Sequence, residues 1–335
     1  MYLISPHKKQ YKANLHCHSV ISDGKKTPQE LKEMYKSHGY SILAITDHET
    51  PCCHSDLDDE NFLTITGYEG YIRNTPRYNA YETEIHLNLF ARDPKNETLI
   101  CYQKEFCKYT TEEEQAKFKK VVYDKPRVCS VEYVNEYIRL ARENGYIVAY
   151  NHPYWSFDPE ENILAYEGIF SLEICNYGSY LSSGLEYNGA LYNSILRSGK
   201  RIACHSADDN HNGHEEGHPL SDSFGGFTMI MPEDFNYNGV IDAMEKGEMY
   251  SSMGPVFREV SIEENRLHVE CSDVKDIIVH DGGKRHIGAH AEKGQTINSA
   301  DFELRDKAKF VRVTIIDKDG NKADTRGYFR DELPF

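Results

Sequence analysis

Residues 11–24 read YKANLHCHSVISDG, and this stretch bears on both the fold and the chemistry of the chain. Residues 11–16 predict a short strand. Residues 27–30, TPQE, then form a capping box with a proline at the first helical position, which predicts a helix start. The apolar run 42–45 follows as a buried strand. This β-α-β order is typical of α/β proteins with parallel strands.

The same alternation continues up to about residue 254. Further strands are predicted at 62–66, 85–90, 146–150, 169–174 and 201–204, and helical patterns lie at 131–144 and 186–198. Together with the first two, these make seven strands, which favours a parallel α/β barrel over a sandwich. A polar segment at 93–129 predicts an insertion with one helix near 111–122.

The pattern changes after Gly254-Pro255. Short alternating runs separated by the turn signals DGG (281–283) and DGN (319–321) predict strands without helices. The sequence therefore predicts two domains, an α/β barrel over residues 1–254 and a small β-sandwich-like domain over residues 255–335.

Composition excludes several classes of protein. The chain has 335 residues, 39% of them hydrophobic, and a net charge of −16, so it has enough apolar content for a core. The acidic balance argues against binding long nucleic acid but not against a small phosphorylated substrate. No apolar run is long enough for a membrane helix or a secretory leader, and the nine scattered cysteines indicate reduced thiols. We expect a cytoplasmic protein.

Nearly every predicted strand of residues 1–254 lies next to a side chain that can bind a metal ion. In chain order these are His16, His18, Asp23, Asp47, His48, Glu69, His86, His152, Glu173, Asp209 and His211. Because residues two apart in a strand face the same side, His16 and His18 can share one ion. The carboxyl ends of barrel strands converge on one face, so a single polynuclear metal centre would explain all these positions.

Taken alone, each of these residues has an ordinary structural explanation. An isolated His-x-His occurs in many strands, and acidic residues before Asn210 are typical of turns. Chance placement at the end of so many separate apolar runs is much less plausible than one shared site.

The ordered motifs HCH, SDG, TDH, GYE, IHLNLF, NHP, LEICN and DDNH resemble those of the PHP (polymerase and histidinol phosphatase) domain family over residues 11 to about 250. The tail, with YSSMGPVF and FVRVTIIDKDGNKAD, resembles stand-alone PHP phosphoesterases that carry a small C-terminal β-domain. The resemblance implies a distorted (β/α)7 barrel that binds two to three divalent ions.

The resemblance also implies how the ligands are shared. One ion would be held by His16, His18 and Asp209, with Glu69 bridging to a second; the second would take Glu69, His86 and His152, and the third Asp23, His48 and His211. Asp47 and Glu173 fall outside these sets and are predicted to orient neighbouring imidazoles. Mixed histidine and carboxylate ligands suit Zn, Mn or Fe.

These residues predict hydrolysis of a small phosphomonoester, such as a nucleotide or sugar phosphate, by a metal-bound hydroxide. The sequence has neither a GxSxG elbow nor a GxxxxGK phosphate loop, which argues against serine hydrolases and P-loop enzymes. Glu69, Asp209 and His211 would carry catalysis, with His205 as an acid or a substrate contact. Arg73 and Arg77, among tyrosines, could hold a phosphate and stack a base.

Three alternatives remain open at this point. The same metal centre could hydrolyse a carbamate or ester, or degrade short oligonucleotides from an end. A non-catalytic, metal-stabilised module is the least favoured, because every expected ligand position is filled.

Overall fold

The protein, described by a computed structural model over residues 1–334, is a mixed α/β chain built around one large sheet. Its strands are β1 (Tyr2–Ile4), β2 (Tyr11–Asn14), β3 (Ile42–Ile45), β4 (Leu63–Ile72), β5 (Ile85–Ala91), β6 (Thr98–Leu99), β7 (Lys119–Lys120), β8 (Tyr146–Tyr150), β9 (Ile169–Asn176), β10 (Ala203–Ala207), β11 (Phe227–Ile230), β12 (Met249–Ser252), β13 (Phe257–Glu263), β14 (Arg266–Val274), β15 (Asp276–His280), β16 (Ile287–His290), β17 (Ile297–Glu303), β18 (Phe310–Ile316), β19 (Lys322–Thr325) and β20 (Tyr328–Phe329). Its helices are α1 (Pro28–Ser37), α2 (Glu112–Gln115), α3 (Val131–Glu143), α4 (Glu160–Ala165), α5 (Tyr177–Ser183), α6 (Gly189–Arg197) and α7 (Tyr237–Lys246).

Local sequence signals account for the first β-α-β unit. Thr27 accepts the backbone N–H of Glu30, and the Glu30 carboxylate accepts the backbone N–H of Thr27, so the predicted capping box is confirmed. The helix buries Leu31 and Tyr35 against the sheet. The apolar strand β3 then pairs in parallel with β2 and β4.

All seven predicted strands of the first region are present and lie side by side in the order β10-β9-β8-β5-β4-β3-β2. The expectation that they are all parallel is wrong for β5, which runs antiparallel to both β4 and β8. The reason is the connection at 73–84, which contains no helix, so the chain turns back directly beside β4. The start of β5 therefore lies at the carboxyl end of β4.

The segments that follow β2 and β10 also lie side by side. The Asp209 N–H donates to the His16 carbonyl at 3.0 Å, and the His18 N–H donates to the Asn210 carbonyl at 3.1 Å. These backbone hydrogen bonds bring the HCH motif next to the DDNH motif, although almost 200 residues separate them in the chain.

Residues 255–334 are rich in strands and contain no α-helix among the residues described. Strands β1, β13, β14 and β17 form one antiparallel sheet, and β15, β16, β18, β19 and β20 extend the large sheet beyond β12. Apolar side chains such as Val260, Leu267, Ile277, Val313 and Ile315 pack between them. Strand β1 comes from the amino terminus, a pairing that the sequence analysis did not predict.

The polar segment 93–129 contains a shorter helix than expected. Helix α2 ends at Gln115 instead of continuing to residue 122, because Lys119–Lys120 pairs with Thr98–Leu99 as a short parallel ladder. The segment is attached to the large sheet by Arg127, whose guanidinium donates to both Glu49 carboxylate oxygens at 2.6 and 2.8 Å.

None of the described helices is long and apolar enough to cross a membrane. Within residues 1–334 all nine cysteines are free thiols.

Candidate metal centre

The predicted ligands gather at one end of the seven-stranded part of the sheet. His16 and His18 follow β2, His48 follows β3, His152 follows β8, and Asp209 and His211 follow β10. Glu69 lies inside β4, which continues for three residues beyond it. His86 lies at the start of β5 and reaches the same end because that strand is antiparallel.

Glu69 lies at the middle of the cluster. Its Oε1 is 3.1 Å from His16 Nε2, 2.9 Å from His86 Nδ1 and 3.3 Å from His152 Nε2. Its Oε2 is 3.0 Å from His48 Nδ1. The side chain is 1% exposed, so this carboxylate meets imidazoles rather than water on both oxygens.

A second carboxylate, Asp209, contacts the two histidines of the HCH motif. Its Oδ1 is 3.1 Å from His16 Nε2 and 3.0 Å from His18 Nε2. A third, Asp23, lies near the cavity opening, with its oxygens 3.6 Å from His48 Nε2 and 3.5 Å from His211 Nε2.

Three overlapping groups have donor atoms within 4.8 Å of one another, as one bound ion requires. They are His16, His18, Glu69 and Asp209; His18, Asp23, His48 and His211; and His48, Glu69 and His86. The first is the predicted first set. The second is the predicted third set with His18 added, and the last contains His48 where His152 was expected.

Two buried atoms show that the residues present suit a cation. Asp209 Oδ1 and His48 Nδ1 have no hydrogen-bond partner among the described residues, although each lies close to other ligand atoms. His16 Nε2 and His18 Nε2 also lie only 3.3 Å apart. Nitrogen and oxygen atoms that converge in this way are what a shared metal ion would satisfy, and the mixed donors suit Zn, Mn or Fe.

The pKa shifts show that the cluster attracts positive charge. Burial would lower the pKa of His18, but Asp209 and Glu69 raise it to about 10. Burial would likewise lower the pKa of His86, and Glu69 and Glu84 raise it to about 10. Burial would raise the pKa of Glu69, yet the imidazoles, foremost His86, hold it well below its ordinary value.

Glu173 lies beside the cluster as a hydrogen-bond acceptor. Its Oε1 is 3.0 Å from His16 Nδ1, and its Oε2 accepts the backbone N–H of His152 at 2.8 Å. Glu173 can therefore fix the ring of one ligand and the backbone of another. This position suits the predicted orienting role, which stays a prediction.

The prediction for Asp47 needs correction. Within residues 1–334 no imidazole contacts the Asp47 carboxylate, which accepts the backbone N–H and hydroxyl of both Ser19 and Ser22. The physical reason is that β3 ends facing the 19–22 turn rather than a histidine ring. Asp47 therefore acts on the cluster only through this turn, where Ser22 Oγ is 3.4 Å from His18 Nδ1.

His205 and the two arginines differ in how they lie relative to the cavity. His205 lies on β10 beneath the cluster, fully buried, with Nδ1 2.8 Å from Ser171 Oγ, and burial lowers its pKa to about 4. It is not among the residues that line the cavity, and its role as an acid or a substrate contact stays a prediction. Arg73 lines the cavity, whereas Arg77 is exposed and does not line it, although the adjacent Tyr78 does.

The ligand backbone is held in unusual conformations. His152 has φ of +25° and Asp209 φ of +51°, values that residues other than glycine rarely adopt. Asp208 supports the conformation of Asp209 because its carboxylate accepts the backbone N–H groups of residues 224–226, the Phe-Gly-Gly segment. A side chain at Gly226 would lie 2.5 Å from the Ala207 carbonyl oxygen, which explains the glycine.

The cluster opens into a cavity of about 560 Å³. Several of its lining residues were not predicted, among them the polar and aromatic side chains Glu84, Lys108, Tyr109, Trp155 and Asp222. Of these, Glu84 could have been predicted from the sequence, because it lies two residues before His86 and so faces the same side of the strand. Its Oε1 is 2.9 Å from His86 Nε2, and its Oε2 accepts from Arg73.

Tyr109 comes from the 93–129 segment and could not have been found from the motifs. Its hydroxyl donates to Asp23 Oδ2 at 3.1 Å, and its ring stacks near that of His48 with centroids 5.9 Å apart. The inserted segment thus forms one wall of the cavity.

Comparison with known proteins gives a family and related structures. Residues 14–177 match the family model of the PHP domain. A two-domain protein containing a predicted PHP-like metal-dependent phosphoesterase from Bacteroides vulgatus ATCC 8482 is 15% identical, with 98% of this chain and 97% of that chain covered and a TM-score of 0.45. An amidohydrolase from Chromobacterium violaceum, with bound sulfate and no metal, is 17% identical, with 59% and 87% covered and a TM-score of 0.40. No curated protein matches the sequence.

Proposed function

We propose that the chain, whose residues 14–177 match the PHP domain model, is a metal-dependent phosphoesterase that hydrolyses a small phosphomonoester. The observation that carries the proposal is the set of three overlapping donor groups around Glu69, which opens into a cavity large enough for a small molecule. Two to three ions of Zn, Mn or Fe are the proposed cofactors, held by His16, His18, Asp23, His48, Glu69, His86, His152, Asp209 and His211.

Divalent ions bound there would lower the pKa of a water molecule towards neutrality and stabilise negative charge on a phosphoryl group. In the reaction, water adds to phosphorus and the ester P–O bond breaks. The leaving oxygen takes up a proton, so the products are an alcohol and inorganic phosphate.

The protein's own side chains supply the rest of the phosphate site. Arg73 and Lys108 both line the cavity, and burial together with the nearby Arg73 guanidinium lowers the pKa of Lys108. Two cationic side chains on one wall favour an anionic substrate. Arg73 is fixed by Glu84 and by stacking over Tyr71, with 4.4 Å from its guanidinium carbon to the ring centroid.

The proposal also concerns the arrangement of the seven strands that carry the ligands. We infer that the seven strands β2, β3, β4, β5, β8, β9 and β10 form a distorted (β/α)7 barrel. The backbone hydrogen bonds from Asp209 to His16 and from His18 to Asn210 support closure between its first and last strands. Residues 1–254 would be the catalytic domain and residues 255–335 a separate β-domain.

The proposal is tested by measuring phosphate release on protein whose bound metals have been quantified. The substrates are p-nitrophenyl phosphate, a bis-phosphodiester and an aryl carbamate, and we expect turnover of the first. Asp209→Asn should lose bound metal and at least about tenfold in kcat/KM, since a ligand is removed. Asp242→Asn, an exposed position on α7, is the matched control and should match the unmodified protein in both.

Carbamate turnover without phosphate release would replace the proposal with the carbamate hydrolase alternative. Unchanged metal content in Asp209→Asn would show that the ligand assignment is wrong.

A further inference from the structure

Two aromatic side chains that the metal centre does not use lie beside each other in the lining of the cavity. The rings of Tyr78 and Trp155 are 23° from parallel, and their centroids are 6.5 Å apart. We call this pair the aromatic clamp. Both rings line the cavity into which the cluster opens, and both also line a smaller adjoining cavity of about 190 Å³.

The clamp borders the metal centre directly. The Trp155 ring centroid is 4.8 Å from that of His152 and 5.0 Å from that of His86. A molecule with its phosphate at the cluster would therefore have its next few atoms beside the clamp.

One side of the clamp is fixed and the other is free to adjust. The buried Glu186 carboxylate accepts the backbone N–H of Trp155 at 2.7 Å and that of Tyr154 at 3.0 Å, which fixes the backbone that carries the indole. Tyr78 is 54% exposed and lies in the surface segment between β4 and β5. It can move without disturbing the core.

A flat ring can lie between the two side chains only if Tyr78 moves. A centroid distance of 6.5 Å is within the range of ordinary aromatic pairs, whereas a planar group stacked on both faces needs about 7 Å between parallel ring planes, twice the roughly 3.5 Å contact distance of carbon atoms. The exposure of Tyr78 allows its ring to move aside and align with the indole when such a group enters.

We propose, on the basis of the proposed function, that the organic part of the substrate is a nucleoside whose base stacks between Tyr78 and Trp155. The adjoining cavity offers Asn79, Glu82 and Ser183 as hydrogen-bonding partners for the edge of a base. A sugar phosphate lacks the flat ring and would leave the clamp unused.

The chain offers a direct probe of binding, because Trp155 is its only tryptophan. Adenosine monophosphate and ribose 5-phosphate are titrated into the full-length protein while tryptophan emission is followed. Adenosine monophosphate should quench the emission saturably, whereas ribose 5-phosphate should leave it unchanged.

Tyr78→Ala should raise the Kd for adenosine monophosphate about tenfold, as expected for the loss of one stacking partner. Tyr81→Ala is the matched control, since Tyr81 is 93% exposed in the same segment and lines neither cavity. Equal quenching by both ligands, or unchanged affinity in Tyr78→Ala, would overturn the clamp.

Phosphate release separates the clamp from the proposed function. Tyr78→Ala should lower kcat/KM about tenfold for adenosine monophosphate and leave that for ribose 5-phosphate unchanged. Equal reduction for both substrates would overturn the clamp while the phosphoesterase remains. No release from any phosphomonoester would overturn the proposed function, and the fluorescence titration would then decide on the clamp alone.

Discussion

Arg127 provides a test of how the inserted segment 93–129 is attached to the rest of the protein. The side chain is 2% exposed, and its guanidinium donates to both Glu49 oxygens, to the Cys101 carbonyl at 3.2 Å and to the Tyr71 carbonyl. Among the described residues, the Glu49 carboxylate has one other hydrogen-bond partner, the Tyr71 N–H at 3.0 Å. Replacing Arg127 with Met therefore leaves a buried carboxylate without its counter-charge.

The magnitude follows from this burial. Removing one partner of a buried, hydrogen-bonded ion pair costs about 3–5 kcal/mol, and we expect Arg127→Met to lose that amount of unfolding free energy. Glu49→Gln combined with Arg127→Met should recover about 1–2 kcal/mol of the loss, because the neutral amide still accepts from Tyr71 but carries no charge.

Urea unfolding followed by circular dichroism measures these differences. Lys104→Met, which removes an exposed ion pair with Glu112 in the same segment, is the control and should unfold at the midpoint of the unmodified protein. The reasoning is refuted if Arg127→Met keeps that midpoint, or if the double variant is no more stable than the single one.

Three more predictions concern packing, pH and ligand orientation. Gly226→Ala should lose about 1–3 kcal/mol in urea unfolding, because the new methyl group meets a carbonyl oxygen of β10, whereas Gly213→Ala, with open space around it, should be neutral. Burial first, and then a neighbouring guanidinium, lowers the pKa of His280 to about 2, while the unfolded chain titrates near 6.5. The stabilisation from neutral His280 is therefore complete above pH 6.5, and the free energy of unfolding falls by about 2 kcal/mol by pH 5. Urea unfolding at both pH values should detect this loss, and His280→Gln should remove it. Glu84→Gln should weaken metal binding about 10- to 100-fold in a metal titration, since it removes the charged partner of His86; unchanged affinity would show that this contact does not orient a ligand.

Much of the fold follows from local patterns that the sequence displays. The capping box at Thr27 and Glu30 marks a helix because both halves of the motif lie within four residues. Strands such as β3, β5 and β8 appear as apolar runs because they are buried on both faces. The reversal of β5 was not predictable in the same way, since strand direction depends on a connection whose length and polarity resemble those of an ordinary loop.

The ligands were easier to find than the residues that support them. His16 and His18 share a motif with a spacing that a metal site requires, and so the sequence reveals them. Lys108, Tyr109 and Trp155 reach the cavity through loop geometry, which a single sequence does not encode in any periodic form. His205 is only four residues from Asp209, but its place in β10 buries it, and the spacing in the sequence does not reveal this.

The central claim is that the cluster around Glu69 holds metal ions that hydrolyse a phosphomonoester. The most direct test is to strip the protein of metal with a chelator, measure phosphate release from p-nitrophenyl phosphate, and measure it again after adding Mn²⁺ or Zn²⁺. The account predicts that release disappears with the metal and returns on addition of two to three ions per chain. Phosphate release that persists in metal-free protein, or that does not return when the ions rebind, would contradict it.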